Sequence, residues 1–325
     1  MIKEKAIIVG AGPCGLSCAI ELQNVGIDPL IIEKASIVNT IYEFPTHQTF
    51  FSTSEKLEIG DIAFITAKQK PQRLDALAYY RSVAERQNLR IQSFTEVMGV
   101  QKNGSTFEVK TNYKNDEVFY EADYVIMATG YYDQPNKLNI PGETLPIVAH
   151  YFKEGHPYQG QHIVVIGGKN SAIDASLELH KAGAHVTVLY RGSTYSKSVK
   201  PWILPLFDSL VQKGEITMKF NANVTEITSK QVHFQVDEKE EIVQSDFVFA
   251  MIGYRPDLAL LNHIGVDINW DNGRPHYHRQ TYETNIDNLY IAGVITAGFN
   301  NNKIFIENGK FHGKAIAKDI QSKQS

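Results

Sequence analysis

Apolar and polar residues follow one arrangement twice along this chain, and that arrangement predicts most of its architecture. Ala6–Val9 is an unbroken apolar run ending at Gly10-Ala11-Gly12-Pro13-Cys14-Gly15. A helix-spaced run to Val25, a glycine at 26, a second apolar run and an acidic stop at Glu33 follow. Short apolar runs bounded by turn residues read as buried strands and a period of 3.6 reads as helix. The stretch therefore predicts strand, glycine turn, helix, strand. The same order returns at His162–Arg191, HIVVIGGKNSAIDASLELHKAGAHVTVLYR. A fixed offset of 157 (167 − 10) places Gly10 on Gly167, Glu21 on Glu178, Leu22 on Leu179 and Gly26 on Gly183. Self-similarity at a fixed offset predicts two copies of one structural unit.

Elsewhere the period changes. Ile41–Ser54, IYEFPTHQTFFSTS, fits neither period and reads as a loop with a short helix, while Leu74–Gln87 is amphipathic at helical spacing. From Leu89 to Tyr120 the runs VMGVQ, TFEVKT and EVFYEA predict an antiparallel meander with turns at Asn103-Gly104 and Asn115-Asp116. Tyr124–Gly130, YVIMATG, reads as a further buried strand. Pro135, Pro141 and Gly142 punctuate a loop-like stretch reaching Gln161, the candidate domain boundary. The runs ITMKF, VTEIT, VHFQV and FVFAMIG read as strands of a second small sheet. Thr284–Gly293 is another buried strand, and Gly298–Lys303, with Asn301 among its cap candidates, leads into a predicted helix Ile304–Ile320.

Composition narrows the class. A length of 325 residues favours two domains, and 43% hydrophobic with 21% charged residues is an ordinary globular profile. A net charge of −4 gives no basic field for nucleic acid or an anionic membrane, and no apolar run is long enough to span a bilayer. With the first strand expected from about residue 5, no signal peptide is expected. Two cysteines make no disulfide framework. The expectation is a cytoplasmic α/β protein. No metal site is expected, since H-E-x-x-H, paired CxxC and clustered histidines are missing.

The glycine turns carry the chemistry. Gly10 permits a tight turn, Gly12 lets the backbone approach a pyrophosphate, Gly15 lets helix and strand pack closely, and the helix N-terminus offers N–H groups to phosphate. Glu33, 18 positions beyond Gly15 (33 − 15), stands where an acid accepts from a ribose 2′-OH. In the second copy its counterpart is Tyr190, followed by Arg191, with Lys197 and Lys200 beyond. A carboxylate repels a 2′-phosphate, whereas a guanidinium pairs with it bidentately. The first turn therefore suits an unphosphorylated ribose, as in FAD or NAD, and the second suits NADPH. The second copy also departs from the fingerprint: Lys169 replaces the second glycine and Ala172 the third. Lys169 either holds the backbone off the pyrophosphate or meets the phosphate with its ammonium group.

Together the motifs GPCGLS, PTHQTFFS, ATGYY, IGGKNSAIDA, YRG, KPWILP, FAMIGYRPD and FIENGKFHG resemble the YpdA-type bacillithiol-disulfide (bacilliredoxin) reductases, thioredoxin-reductase-like flavoproteins. The likeness runs from Gly10 to Gly313. It implies two Rossmann-like, three-layer ββα domains: an FAD domain over 1–148 and 258–325, with an NADPH domain inserted at 149–257. It assigns Gly10, Gly12, Pro13, Cys14, Gly15, Glu33, Lys34, His47, Gln48, Thr129, Gly130, Gly293, Val294 and Ile304 to the flavin side. Gly167, Gly168, Lys169, Asn170, Ser171, Arg191 and Gly253 fall to the nucleotide side. The isoalloxazine is expected near His47–Gln48 and the N-terminus of the last helix. Val294 stands where the superfamily commonly has the Asp that binds the ribityl chain.

Thioredoxin reductases of this layout carry a CxxC before the second glycine turn, but Val148–His156 holds no cysteine. Cys14 and Cys18, four apart on a helix, place their Cβ atoms ~5–6 Å apart, beyond the ~3.5–4.5 Å of a disulfide. Cys18 reads as a packing thiol. Cys14 reads either as a catalytic thiol or as a small residue beside the flavin. The implied reaction passes hydride from NADPH to FAD and two electrons on to bacillithiol disulfide, directly or through Cys14. The substrate's carboxylates call for cations, with Lys303, Lys310, His312 and Arg274 as candidates by type. The resemblance further implies a bacilliredoxin-type protein partner and a homo-oligomer. Competing readings are a flavin-dependent monooxygenase (though its FxGxxxH fingerprint is missing), a ferredoxin- or flavodoxin-NADP reductase, and a non-enzymatic NADPH-sensing flavoprotein.

Overall fold

The computed structural model describes residues 1–300 and 302–324; Asn301, one of the cap candidates, lies outside the described residues. The chain divides into two compact units. One comprises Met1–Glu43, Gln48–Gln134 and Arg255–Ser325, the other Phe44–His47 and Pro135–Tyr254.

In the first unit Ile2–Val9 is the central strand, parallel to Leu30–Ile32 on one side and to Asp116–Met127 on the other. Leu30–Ile32 is flanked by Arg90–Gln92, and Leu289–Ile291 runs parallel to Val125–Met127. Ala6–Val9, Leu30–Ile32 and Leu289–Ile291 are buried, as parallel strands covered on both faces must be, which is why they read as unbroken apolar runs. EVFYEA and YVIM, expected as separate strands, form a single 12-residue strand. Its first half pairs antiparallel with Thr106–Tyr113 and completes the meander, while its second half belongs to the parallel sheet. The helix Pro13–Asn24 begins with Pro in its first turn, and Arg73–Arg86 carries a capping box in which the Gln72 N–H donates to Asp75 Oδ2 at 2.8 Å.

The predicted helix Ile304–Ile320 is instead two: Ile306–Gly309 and His312–Gln324. Ser17 Oγ donates to the Lys310 carbonyl at 2.7 Å, which fits the break there. Ile304 therefore precedes a four-residue helix, whose dipole is far weaker than that of the single long helix expected.

The second unit is built on an all-parallel five-stranded sheet in the order Ile216–Lys219, His185–Leu189, His162–Ile166, Phe247–Ala250, Val148–Ala149. ITMKF and FVFA thus belong to this main sheet and not to the small one. The small sheet is Ala222–Ile227, Gln231–Val236 and Lys239–Gln244, antiparallel throughout. Its last strand alternates exposed and half-buried positions and is rich in charge, which hid it from pattern reading. Leu138, Ile140, Leu145 and Ile147 pack into this unit's core, so its compact region runs 135–254 where 149–257 was expected.

Candidate nucleotide sites

The first glycine turn joins Ile2–Val9 to Pro13–Asn24. Gly10 has φ +108°, and a Cβ there would stand 2.6 Å from the Ala128 carbonyl oxygen. A Cβ on Gly15 would stand 2.0 Å from the Gly10 oxygen, so helix and turn meet backbone to backbone. Gly12 faces open space, with nothing within 4 Å of such a Cβ. No contact among the described residues requires a glycine at that point. Glu33 is buried, and its carboxylate accepts the Ala11 N–H at 2.8 Å and the Ala35 N–H at 2.9 Å. Burial pushes its pKa up while the two N–H bonds hold it down. Two of the carboxylate's roughly four lone-pair sites are used, which leaves acceptors for a ribose diol. Lys34 pairs with Asp133 at 2.7 Å. Thr129 Oγ1 is buried without a partner among the described residues, as expected of a polar atom awaiting a ligand. These residues fit the adenosine diphosphate half of a dinucleotide whose ribose carries no 2′-phosphate.

The second turn repeats the frame with different chemistry. Gly167 has φ +135°, and a Cβ there would stand 2.4 Å from the Met251 oxygen. Lys169 occupies the N-cap of Asn170–Lys181 with extended backbone and an exposed side chain. Ser171 and Arg191 are exposed as well. Asn170 is committed within the protein, its Nδ2 donating to Ser198 O at 2.8 Å and its Oδ1 accepting the Lys200 N–H at 2.7 Å. Lys200 is buried against Asp174 at 2.8 Å, which removes it from the cations expected beside Arg191. Lys169, Arg191 and Lys197 are exposed. Gly253 closes the unit, its carbonyl accepting the Asn136 N–H at 2.9 Å. The cations and the open helix N-terminus fit a phosphorylated dinucleotide.

Within the first turn Cys14, in the opening turn of Pro13–Asn24, packs against two glycines: a Cβ on Gly309 or Gly293 would stand 3.0 or 3.1 Å from its Sγ. Burial pushes the Cys14 thiol up to about 12, the reverse of what a thiolate nucleophile needs. Cys18 is buried and desolvation raises its pKa well above the ordinary thiol value, which suits a packing thiol. The Gly293 N–H donates to His312 Nδ1 at 3.1 Å, and His312 stacks on Tyr282 with centroids 4.0 Å apart. Val294 is half-buried in the short 3-10 turn Gly293–Ala297. Gln48 stays in the first unit, its carbonyl accepting the Arg73 N–H at 2.9 Å. His47, expected beside Gln48 at the isoalloxazine, groups with the second unit. Its ring meets Phe152 edge-on at 6.1 Å, and both ring nitrogens are buried without partners among the described residues.

The proposed entrance cations fare unequally. His312 is buried and held neutral, its pKa lowered to about 4 by desolvation. Lys310 Nζ donates to Glu58 O at 2.6 Å. Lys303 is exposed, and Arg274 lines a cavity of about 530 Å³ with His276 and Arg279. Sequence reading passed over Tyr190 as a contact residue, although the 157-residue offset also carries Ala11 to Gly168 and Ala35 to Gly192. A Cβ on Gly168 would stand 2.3 Å from the Tyr190 ring.

Comparison with known proteins places these sites in context. The profile of the pyridine nucleotide-disulphide oxidoreductases matches residues 7–293. The chain is 57% identical, over 100% of both chains, to the bacilliredoxin reductase Bdr of Bacillus subtilis (strain 168). Among solved structures it is similar to the bacillithiol disulfide reductase Bdr (YpdA) from Bacillus cereus, with a TM-score of 0.97, 58% identity and 99% of each chain covered. The Staphylococcus aureus enzyme of the same name matches with a TM-score of 0.96, 54% identity and 100% of each chain covered.

Proposed function

The chain belongs to the pyridine nucleotide-disulphide oxidoreductases and, within them, to the Bdr (YpdA) type, and from that premise we propose that it uses FAD and NADPH to reduce bacillithiol disulfide. The balanced reaction consumes one NADPH and one proton per disulfide and releases NADP⁺ and two thiols. The observation supporting the cofactor pair is the acid in one glycine turn and the arginine in the other. Glu33 serves a ribose diol, whereas Arg191, with Lys169 and Lys197, serves a 2′-phosphate. Bound flavin would supply the two-electron relay between nicotinamide and disulfide.

The protein's own part is to bind and orient. Gly10 and Gly15 hold the turn tight, Gly12 leaves its backbone open to close approach, and Thr129 offers a hydroxyl unpartnered among the described residues on the flavin side. The free N–H groups opening Asn170–Lys181 face a phosphate on the nucleotide side. A Cys14 thiol held protonated favours the direct route to the disulfide, with Cys14 as a small packed residue at the flavin. Lys303 and Arg274 are the candidates left to meet substrate carboxylates. A bacilliredoxin-type protein is the macromolecular partner this reading adds.

The test is NADPH oxidation by flavin-loaded protein with bacillithiol disulfide, oxidised glutathione and oxygen compared side by side. Thiol release at two per NADPH with bacillithiol disulfide is expected. Oxygen consumption without thiol release would overturn the reading.

A further inference from the structure

The two glycine turns are tied to the loop after the second strand at equivalent positions, by different chemistry. In the first, Glu33 joins Ala11 to Ala35 through its two hydrogen bonds of 2.8 and 2.9 Å. The offset carries these residues to Gly168, Tyr190 and Gly192 (11 + 157, 33 + 157, 35 + 157). There the tie is a ring. A Cβ on Gly168 would stand 2.3 Å from Tyr190 Cγ, at the root of the ring, and one on Gly192 would stand 2.5 Å from Cε1, towards its tip. Both positions must therefore lack a side chain for the ring to lie where it does. The backbone on either side of Arg191 is also held. The Tyr190 N–H donates to Lys219 O at 2.9 Å, the Tyr190 oxygen accepts from Ala222 at 3.0 Å, and the Gly192 oxygen accepts from Asn221 at 3.0 Å. Arg191 sits between these anchors with its own side chain exposed.

We propose that Tyr190 is a positioning residue for nucleotide selectivity, its ring locking Gly192, and hence Arg191, onto the glycine turn. It does by packing what Glu33 does by hydrogen bonding. A guanidinium on a fixed main chain loses less freedom when it pairs with a phosphate, so fixing the backbone strengthens selection for the 2′-phosphate. By the same offset the tyrosine stands where the first copy has a carboxylate, which would repel that phosphate. This inference rests on the reading that Arg191 meets NADPH.

The experiment is steady-state turnover of the holoenzyme with bacillithiol disulfide, measuring kcat and KM for NADPH and for NADH. Tyr190→Phe keeps the ring and is expected to stay within ~2-fold of wild type, while Tyr190→Ala raises the NADPH KM ~5–10-fold with kcat and the NADH KM within ~2-fold. Adding Tyr190→Ala to Arg191→Ala is expected to add little, because the tyrosine acts through the arginine. Gly192→Ala displaces the ring without removing it and is expected to reproduce the NADPH-specific rise, so a poorly folding Tyr190→Ala leaves the proposal exposed to test. An unchanged NADPH KM, equal rises for both nucleotides, damage by Tyr190→Phe equal to that by Tyr190→Ala, or multiplicative effects in the double variant would overturn it. A wild-type enzyme indifferent to NADPH over NADH would defeat the cofactor reading itself. A wild-type preference that Tyr190→Ala and Gly192→Ala leave unmoved would defeat this inference alone.

Discussion

The two glycine turns share a backbone and differ in almost everything laid upon it. Gly10 and Gly167 both sit at positive φ beneath a carbonyl of a neighbouring strand end, Ala128 in one case and Met251 in the other. The first turn then spends glycines at 12 and 15 and an internal carboxylate, whereas the second places Lys169, Ala172, Tyr190 and Arg191 at the matching points. A repeated frame fixes where a dinucleotide can lie, and the residues at the strand end decide which dinucleotide it is.

The comparison breaks most visibly at its tightest contacts. Gly15→Ala forces a Cβ to within 2.0 Å of the Gly10 oxygen. No soluble flavin-loaded protein is expected from it, as judged by circular dichroism and the flavin absorbance of purified protein. Gly12→Ala meets nothing within 4 Å, so the protein is expected to fold with its apo melting temperature intact and to lose flavin. Equal damage from both changes would show that Gly12 is structural.

Next in size is the buried link between Gly293 and His312. Its pKa falls from the ordinary 6.5 to about 4 on burial, so the unfolded chain binds the extra proton across that window. Stability tied to the neutral ring is complete above about pH 6.5 and drains away on acidification towards 4. A shift of this size corresponds to ~3 kcal/mol. His312→Gln keeps an acceptor for the Gly293 N–H without titrating, and is expected to flatten the melting temperature's dependence on pH between 4 and 6.5. A slope identical to that of wild type would contradict this assignment.

Smaller, and most informative about the comparison, are crossed substitutions at the two strand ends. Glu33→Ala leaves one buried and one half-buried N–H group unpaired and is expected to weaken flavin retention ~10–100-fold while sparing the NADPH KM of molecules still loaded. Arg191→Ala is expected to raise the NADPH KM by a similar ~10–100-fold with flavin content unchanged. Either variant moving both readouts together would contradict this division of labour.

Much of this was legible in the sequence because it is local. Apolar runs, turn glycines and the 157-residue offset announced both βαβ frames, and Glu33 against Arg191 separated them. What escaped depended on long-range partners. The break at Lys310 is accompanied by a hydrogen bond from Ser17, the neutrality of His312 depends on burial, and the commitment of Lys200 depends on Asp174. The Asp116–Met127 strand looked like two because its halves face different neighbours. Tyr190 was visible as a replacement for an acid but not as a clamp, since only folding brings Gly168 and Gly192 against its ring.

The central claim is that one frame, carrying an acid in one copy and an arginine in the other, holds two different nucleotides in the service of disulfide reduction. The most direct test follows bacillithiol disulfide reduction by the wild-type holoenzyme with NADPH and with NADH, counting thiols released per nucleotide oxidised. Two thiols per NADPH, with an NADPH KM at least ~10-fold below that for NADH, is the predicted result. Equal KM values for the two nucleotides, or NADPH oxidation without thiol release, would contradict it.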